Sequence, residues 1–258
     1  MKANFHTHSV YSDGADTLTE LVEAAIEKGF GALGFSEHSY TYFDESYCMS
    51  RENTLRYISE VRALQEKYRG RIALYLGIEQ DFYSTESVDN YEYVIGSVHY
   101  LKKGGHFLPV DESAEDLARF RDMYYEGDIY ALIEDYFAAV GAWAEKKCDI
   151  IGHFDLITKF NEKQPLFDTE HPRYKMAAQK ALDKILAADK TIEINTGAMA
   201  RAWRSSPYPD AKWLDYIVKK DGRLILASDC HDKKDLDFAF DTLAPYREYL
   251  SIKPFKTL

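Results

Sequence analysis

Ala3-Asn4-Phe5-His6-Thr7-His8 reads as a short strand that ends in two histidines. Side chains along a strand alternate in direction, so imidazoles two positions apart project to the same face. One such pair is weak evidence, because histidines at a strand end are about as often hydrogen-bonded structural residues as ligands. The same arrangement, however, recurs along the chain. A strand predicted at 32–36 runs into Glu37-His38, and one at 72–80 carries Gly77-Ile78-Glu79. Those at 93–98 and 150–153 end in Val98-His99 and Gly152-His153. A strand at 224–228 leads straight into Asp229-Cys230-His231.

With a further strand at 191–195, seven short apolar runs alternate with amphipathic stretches, the pattern of repeated βα units around a parallel sheet. Helices are predicted over 18–28 and 53–68, stopping at Gly29 and Gly70, where a glycine can take the left-handed conformation that ends a helix. Three more are predicted over 129–146, 172–188 and 211–220, the last closing at Gly222. The expected fold is α/β and barrel-like, one unit spanning 1–258. An irregular segment at 102–128, marked by Gly104, Gly105 and Pro109, is expected as an inserted loop or hairpin over one end.

A length of 258 residues with 46% hydrophobic content is enough for a buried core. The net charge of −11, without a concentrated basic stripe, argues against an extended nucleic-acid surface, although a local cleft can still attract a small anion. Cys48, Cys148 and Cys230 are far apart and lack CxxC spacing, so neither a disulfide framework nor a zinc ribbon is indicated. The expected location is cytoplasmic, because no apolar run approaches the length of a signal or membrane-spanning segment. Nothing in the sequence points to an oligomeric state.

In a parallel barrel the strand ends lie on one rim, so His6, His8, His38, His99, His153 and His231, six of the eight histidines, would meet there with Glu79 and Asp229. Ionisable groups gathered in a core-facing rim are costly to desolvate unless paired or bound to metal. Imidazoles and carboxylates without thiolates suit zinc, manganese or iron in sites that keep open positions.

The ordered set His6-Thr7-His8, Ser12-Asp13-Gly14, Ser36-Glu37-His38, Gly77-Ile78-Glu79, Ser97-Val98-His99, Gly152-His153 and Ser228-Asp229-Cys230-His231 resembles the polymerase-and-histidinol-phosphatase (PHP) family. The resemblance covers nearly the whole chain and is to the free-standing histidinol-phosphatase branch. It implies a distorted (β/α)7 TIM-like barrel with two to three divalent metal ions at the C-terminal rim. His6, His8, Glu79 and Asp229 would hold the first ion. Glu79 would bridge to a second held by His99 and His153, and Asp13, His38 and His231 would hold the third. The implied reaction is hydrolysis of a small phosphomonoester, with L-histidinol phosphate the favoured substrate and histidine biosynthesis the setting.

Catalysis would rest on Glu79, Asp229, His231 and Asp13, with the leaving-group proton supplied by a coordinated water, His231 or Asp13. A phosphate dianion also calls for guanidinium forks. Asn195-Thr196-Gly197 resembles the family's loop with a phosphate-contacting arginine, for which Arg201 is the better match and Arg204 the reserve. Lys159 sits where related phosphatases carry a basic residue. The stretch Tyr40-Thr41-Tyr42-Phe43-Asp44-Glu45 mixes aromatics and acids, with Tyr42 a candidate contact to an amine or imidazolium. Two other readings stay open: a phosphoesterase acting on another small phosphate or nucleic-acid 3′ ends, and a non-catalytic metal-binding module.

Overall fold

The computed structural model describes residues 1–249; the 250–258 end of the expected unit lies outside the described residues. Its strands are β1 (Lys2–Asn4), β2 (Phe30–Phe35), β3 (Ala73–Asp81), β4 (Tyr93–Ser97), β5 (Tyr100–Lys103), β6 (His106–Pro109), β7 (Ile150–Ile151), β8 (Thr191–Asn195) and β9 (Leu224–Ala227). Seven of them form one parallel sheet in the order β1-β2-β3-β4-β7-β8-β9, while β5 and β6 pair as an antiparallel hairpin. The helices are α1 (Leu18–Glu27), α2 (Arg51–Lys67), α3 (Ala114–Tyr124), α4 (Ile129–Ala142), α5 (Pro172–Ala187), α6 (Gly197–Ala200) and α7 (Ala211–Lys219). The result is a nearly closed, distorted (β/α)7 barrel, as expected.

Side chains and loop backbone close the ring between β1 and β9. Asn4 Nδ2 donates to Ser228 Oγ at 2.6 Å and to Leu236 O at 3.0 Å, and the Ser228 amide donates back to Asn4 Oδ1. One step nearer the rim, the His8 amide donates to Cys230 O at 2.9 Å. The first and last ligand-bearing segments are thereby fixed side by side.

Local signals explain most element ends. Thr17 and Glu20 form a reciprocal capping box at the start of α1, and Ser50 caps α2. Gly29 and Gly70 take φ of 74° and 81°, the left-handed stops expected of them. At the end of α7 the positive φ belongs instead to Asp221, at 57°. Gly222 serves close packing, since a Cβ there would lie 2.6 Å from side-chain carbons of Ile217 and Leu186. The 102–128 segment contains most of the predicted hairpin, turning through Gly104 and Gly105, but also the unforeseen helix α3. Ser113 caps α3, and Ala114, Leu117 and Phe120 form its buried stripe.

A small inner cluster of Phe5, Ala32, Tyr93, Ile95, Ile150 and Ile225 lies apart from the larger layer between sheet and helices. Tyr93 dominates it: its hydroxyl lies 2.6 Å from Phe5 O and 2.9 Å from Phe35 O. Gly77 leaves room for the ring, because a Cβ there would lie 2.1 Å from Tyr93 Cζ. Gly77→Ala is therefore expected to destabilise the fold by about 1–3 kcal/mol through overpacking. Urea unfolding checks this, and an unchanged midpoint would show that the ring moves aside freely.

Candidate metal centre

The predicted ligands arrive at one rim from separate strands. His6 and His8 follow β1, His38 follows β2, Glu79 lies within β3, His99 follows β4, His153 follows β7, and Asp229 and His231 follow β9. Glu79 stands at the middle, only 1% exposed. Its Oε2 lies 2.9 Å from His38 Nδ1, 3.2 Å from His6 Nε2 and 3.5 Å from His8 Nε2. Its Oε1 lies 2.9 Å from His153 Nε2 and 3.4 Å from His99 Nε2. Asp229 Oδ1 completes the first set at 3.2 Å from His8 Nε2 and 3.6 Å from His6 Nε2.

A third set forms at the more open edge. Asp13 lies 3.6 Å from His38 Nε2 and 3.2 Å from His231 Nε2, with His8 Nδ1 3.9 Å away. His8 is stacked against both His38 and His231, with ring centroids 4.3 Å apart in each case. It presents one nitrogen to each set, so it belongs beside the Asp13, His38 and His231 group as well as in the first.

These donors fit divalent ions. Bonds of about 2.0–2.2 Å place neighbouring ligand atoms about 3.0–3.5 Å apart, close to most of the separations found. His6 Nε2, both His8 ring nitrogens and Glu79 Oε2 are buried without hydrogen-bond partners, each costing about 1–3 kcal/mol if left so. The ion-free electrostatics also suit ligation. Burial disfavours charge on Glu79 and Asp229, yet His6, His38 and His99 around the first, and Arg201 and His6 around the second, hold both carboxyls well below their usual range. Burial, then the neighbouring His38 and His231, pushes His8 down to about 3 and keeps it a neutral donor. For His6, burial is outweighed by Glu193, Glu79 and Asp229, which raise its proton affinity.

Further side chains hold the ligands in place. Ser97 Oγ donates to Glu79 Oε1 at 2.6 Å, and Asp81 Oδ2 accepts from the His99 amide at 3.1 Å. Asp229 sits in the left-handed region at φ 47°, a conformation aspartate tolerates better than most residues and which concentrates at functional sites.

The ligands open onto a cleft of about 350 Å³, lined also by Arg201, Lys159, Asp44, Tyr47, Tyr100 and Asp111. Arg201 donates to Asp229 O at 3.0 Å and to Asp229 Oδ2 at 3.1 Å, so its guanidinium is fixed against a candidate ligand in the cleft wall. Lys159 reaches the same cleft, held by Asp111 through its carbonyl at 2.7 Å and its carboxylate at 3.1 Å. Two of the predicted substrate contacts lie elsewhere. Arg204 is buried behind the wall, its fork taken up by Asp210, Thr158 and Ser206. Tyr42 is 53% exposed and packs on Phe43 and Phe107, while Asp44 of the same loop faces the cleft. His106 is exposed on the hairpin, and His171 caps α5, both away from the rim.

Sequence reasoning missed Glu193, which is fully buried beneath the ligands and accepts from His6 Nδ1 at 2.8 Å. Its signal was present: a carboxylate in the middle of the apolar run Thr191–Asn195, two residues before an asparagine on the same face. Tyr47 and Asp111 carried no such signal, since only the chain path brings their loops to the rim.

The PHP domain family matches this chain over residues 4–197. The "Probable histidinol-phosphatase" of Deinococcus radiodurans is 30% identical over 250 residues, covering 91% of this chain and 88% of the relative. The histidinol-phosphatase of Bacillus subtilis is 26% identical, covering 93% of this chain and 97% of the relative. Among solved structures, the histidinol phosphate phosphatase of Lactococcus lactis, complexed with zinc, L-histidinol and phosphate, superposes with a TM-score of 0.73 at 18% identity. That superposition covers 96% of this chain and 95% of the other.

Proposed function

The chain belongs to the PHP domain family, in its free-standing histidinol-phosphatase branch, and from that we propose that it hydrolyses L-histidinol phosphate to L-histidinol and phosphate. It is a metal-dependent phosphatase whose cofactors are divalent ions. The observation that carries this reading is Glu79, whose two oxygens face two different sets of imidazoles. That division supports two adjacent ions bridged by Glu79, with Asp13, His38, His231 and His8 available to a third; zinc, manganese and iron all suit these donors.

Divalent ions held there would supply an activated nucleophilic water and positive charge against the phosphoryl oxygens. The chain's own residues do the rest. Arg201 and Lys159 both line the cleft and supply positive charge for a phosphate dianion beside the ligand cluster. Asp44 and Asp111 line the same cleft, and Tyr47 and Tyr100 add aromatic surface suited to an amine or imidazole-bearing leaving group. His231, 3.2 Å from Asp13, is the chain's candidate for returning a proton to the departing alkoxide, while, against burial, the neighbouring His38 and His231 keep the Asp13 carboxyl ionised. Among the described residues no helix is long and apolar enough to cross a membrane.

The test is phosphate release by metal-reconstituted protein from L-histidinol phosphate, a panel of other phosphomonoesters and single-stranded DNA. Preference for L-histidinol phosphate is the expected result; turnover confined to DNA would overturn it. Arg201→Ala should lower kcat/KM about 10- to 100-fold, the worth of one charge-assisted hydrogen bond at about 1.5–3 kcal/mol. Unchanged steady-state kinetics would remove Arg201 from the phosphate site.

A further inference from the structure

The structure assigns Glu193 as a positioning residue that fixes the ring state of His6 and ties it to His153, so that both Glu79-centred ligand sets form in register. The assignment rests on the metal centre proposed above.

Glu193 projects from the middle of β8 into the barrel, while its neighbours Ile192 and Ile194 pack into the outer layer against the helices. Its two oxygens make different contacts. Oε2 accepts the Nδ1 proton of His6 at 2.8 Å, and Oε1 accepts from the His153 amide at 2.7 Å and from Asn195 Nδ2 at 2.7 Å. With Glu193 ionised, the first contact requires Nδ1 of His6 to carry a proton, so that in the neutral ring a metal ion would meet, Nε2 is the lone-pair nitrogen. Nε2 is the atom that faces Glu79 Oε2 at 3.2 Å and Asp229 Oδ1 at 3.6 Å. The second contact sets the height of the His153 backbone on β7's exit, and His153 Nε2 meets the other oxygen of Glu79 at 2.9 Å.

One carboxylate therefore controls a ligand of the first set through its ring and a ligand of the second through its backbone. Asn195 extends the link, because the same Nδ2 also lies 3.3 Å from Asp229 Oδ2. A carboxylate is required: it must accept on both oxygens at once. A glutamine would turn an NH2 group toward either the His6 Nδ1 proton or the His153 amide, placing donor against donor. Gly152 belongs to the same device. A Cβ there would lie 2.4 Å from Ser97 Oγ, the group that orients Glu79, and 3.6 Å from Glu193 Oε1.

The experiment compares wild type, Glu193→Gln and Glu193→Asp by zinc titration against a competing chelator, with circular dichroism and melting of the metal-free proteins as the folding control. Glu193→Gln is expected to weaken zinc about 10- to 100-fold, the usual cost of losing a group that orients a ligand. Glu193→Asp, which keeps two acceptors on a shorter stem, should recover part of that loss. A role in packing alone would lower the melting temperature of the metal-free protein and leave zinc affinity unchanged, which would overturn the assignment. Long-range 15N NMR of the zinc-loaded wild type gives a second reading that needs no variant. His6 should carry its proton on Nδ1, and a proton on Nε2 would equally overturn the proposal. If wild type itself takes up no divalent ion, the metal-centre reading fails as well; if wild type and Glu193→Gln bind equally tightly, only the role of Glu193 is lost.

Discussion

Glu79→Gln should abolish nearly all phosphatase activity while leaving the barrel folded. The substitution preserves side-chain volume, so the packing around β3 has little reason to change. What changes is that one of two acceptors becomes an NH2 donor. If Oε1 keeps its hydrogen bond from Ser97, the amide turns toward His38 Nδ1, His6 Nε2 and His8 Nε2, which lie 2.9–3.5 Å from the present Oε2. If it turns the other way, it confronts His99 and His153 instead. Either orientation removes a negative ligand shared by two sets. Groups that merely orient ligands cost about 10- to 100-fold, so loss of a bridging ligand should lower kcat by at least about 100-fold. Metal analysis should show a reduced stoichiometry alongside. Near-wild-type turnover with full metal content would contradict the bridging role.

Removing divalent ions with a chelator should both silence the enzyme and loosen the fold. In the ion-free chain the rim holds buried imidazole nitrogens and a carboxylate oxygen without hydrogen-bond partners, and ligation is what satisfies them. An ion present at about 1,000 times its dissociation constant adds about 4 kcal/mol to the folded state. At about 2–4 °C per kcal/mol for a chain of this size, the melting temperature should fall by roughly 8–16 °C on chelation. Activity and melting should recover together when zinc, manganese or iron is returned. Because Glu193 and the other carboxylates raise the proton affinity of His6 above that of an ordinary histidine, protons should compete with metal, so apparent metal affinity should keep rising with pH beyond the ordinary histidine range. Full activity in the presence of excess chelator, with no change in melting, would remove the ions from the mechanism.

The order of strands and most of the candidate ligands that meet at the rim could be read before any coordinates, because both are written in local pattern. Short apolar runs alternate with amphipathic stretches, and most candidate ligands sit where a run ends: His8 after β1, His38 after β2, His99 after β4, His153 after β7 and Asp229 after β9. Parallel topology then does the gathering, since it sends every one of those ends to the same rim. Helix stops at Gly29 and Gly70 were equally local. The stripe of α3 was visible too, yet the nearby glycines of the hairpin drew the segment toward a loop reading.

Tertiary structure decided what depends on distance between strands. Two arginines three residues apart were both candidate phosphate contacts, Arg201 the better match and Arg204 the reserve; Arg201 lines the cleft while Arg204 is drawn into a buried pairing with Asp210. Tyr42 and Asp44 belong to one loop, and packing on Phe43 and Phe107 turned the tyrosine outward. Glu193 was missed although it is a charge inside an apolar run, because its partners, His6 and the His153 amide, are 187 and 40 residues away. Sequence by itself determined which residue types reach the rim, because strand period and strand ends are properties of neighbouring residues. Only the closed barrel decided which atoms of those residues meet, because a hydrogen bond or a shared ligand position is fixed to a few tenths of an ångström by every strand at once.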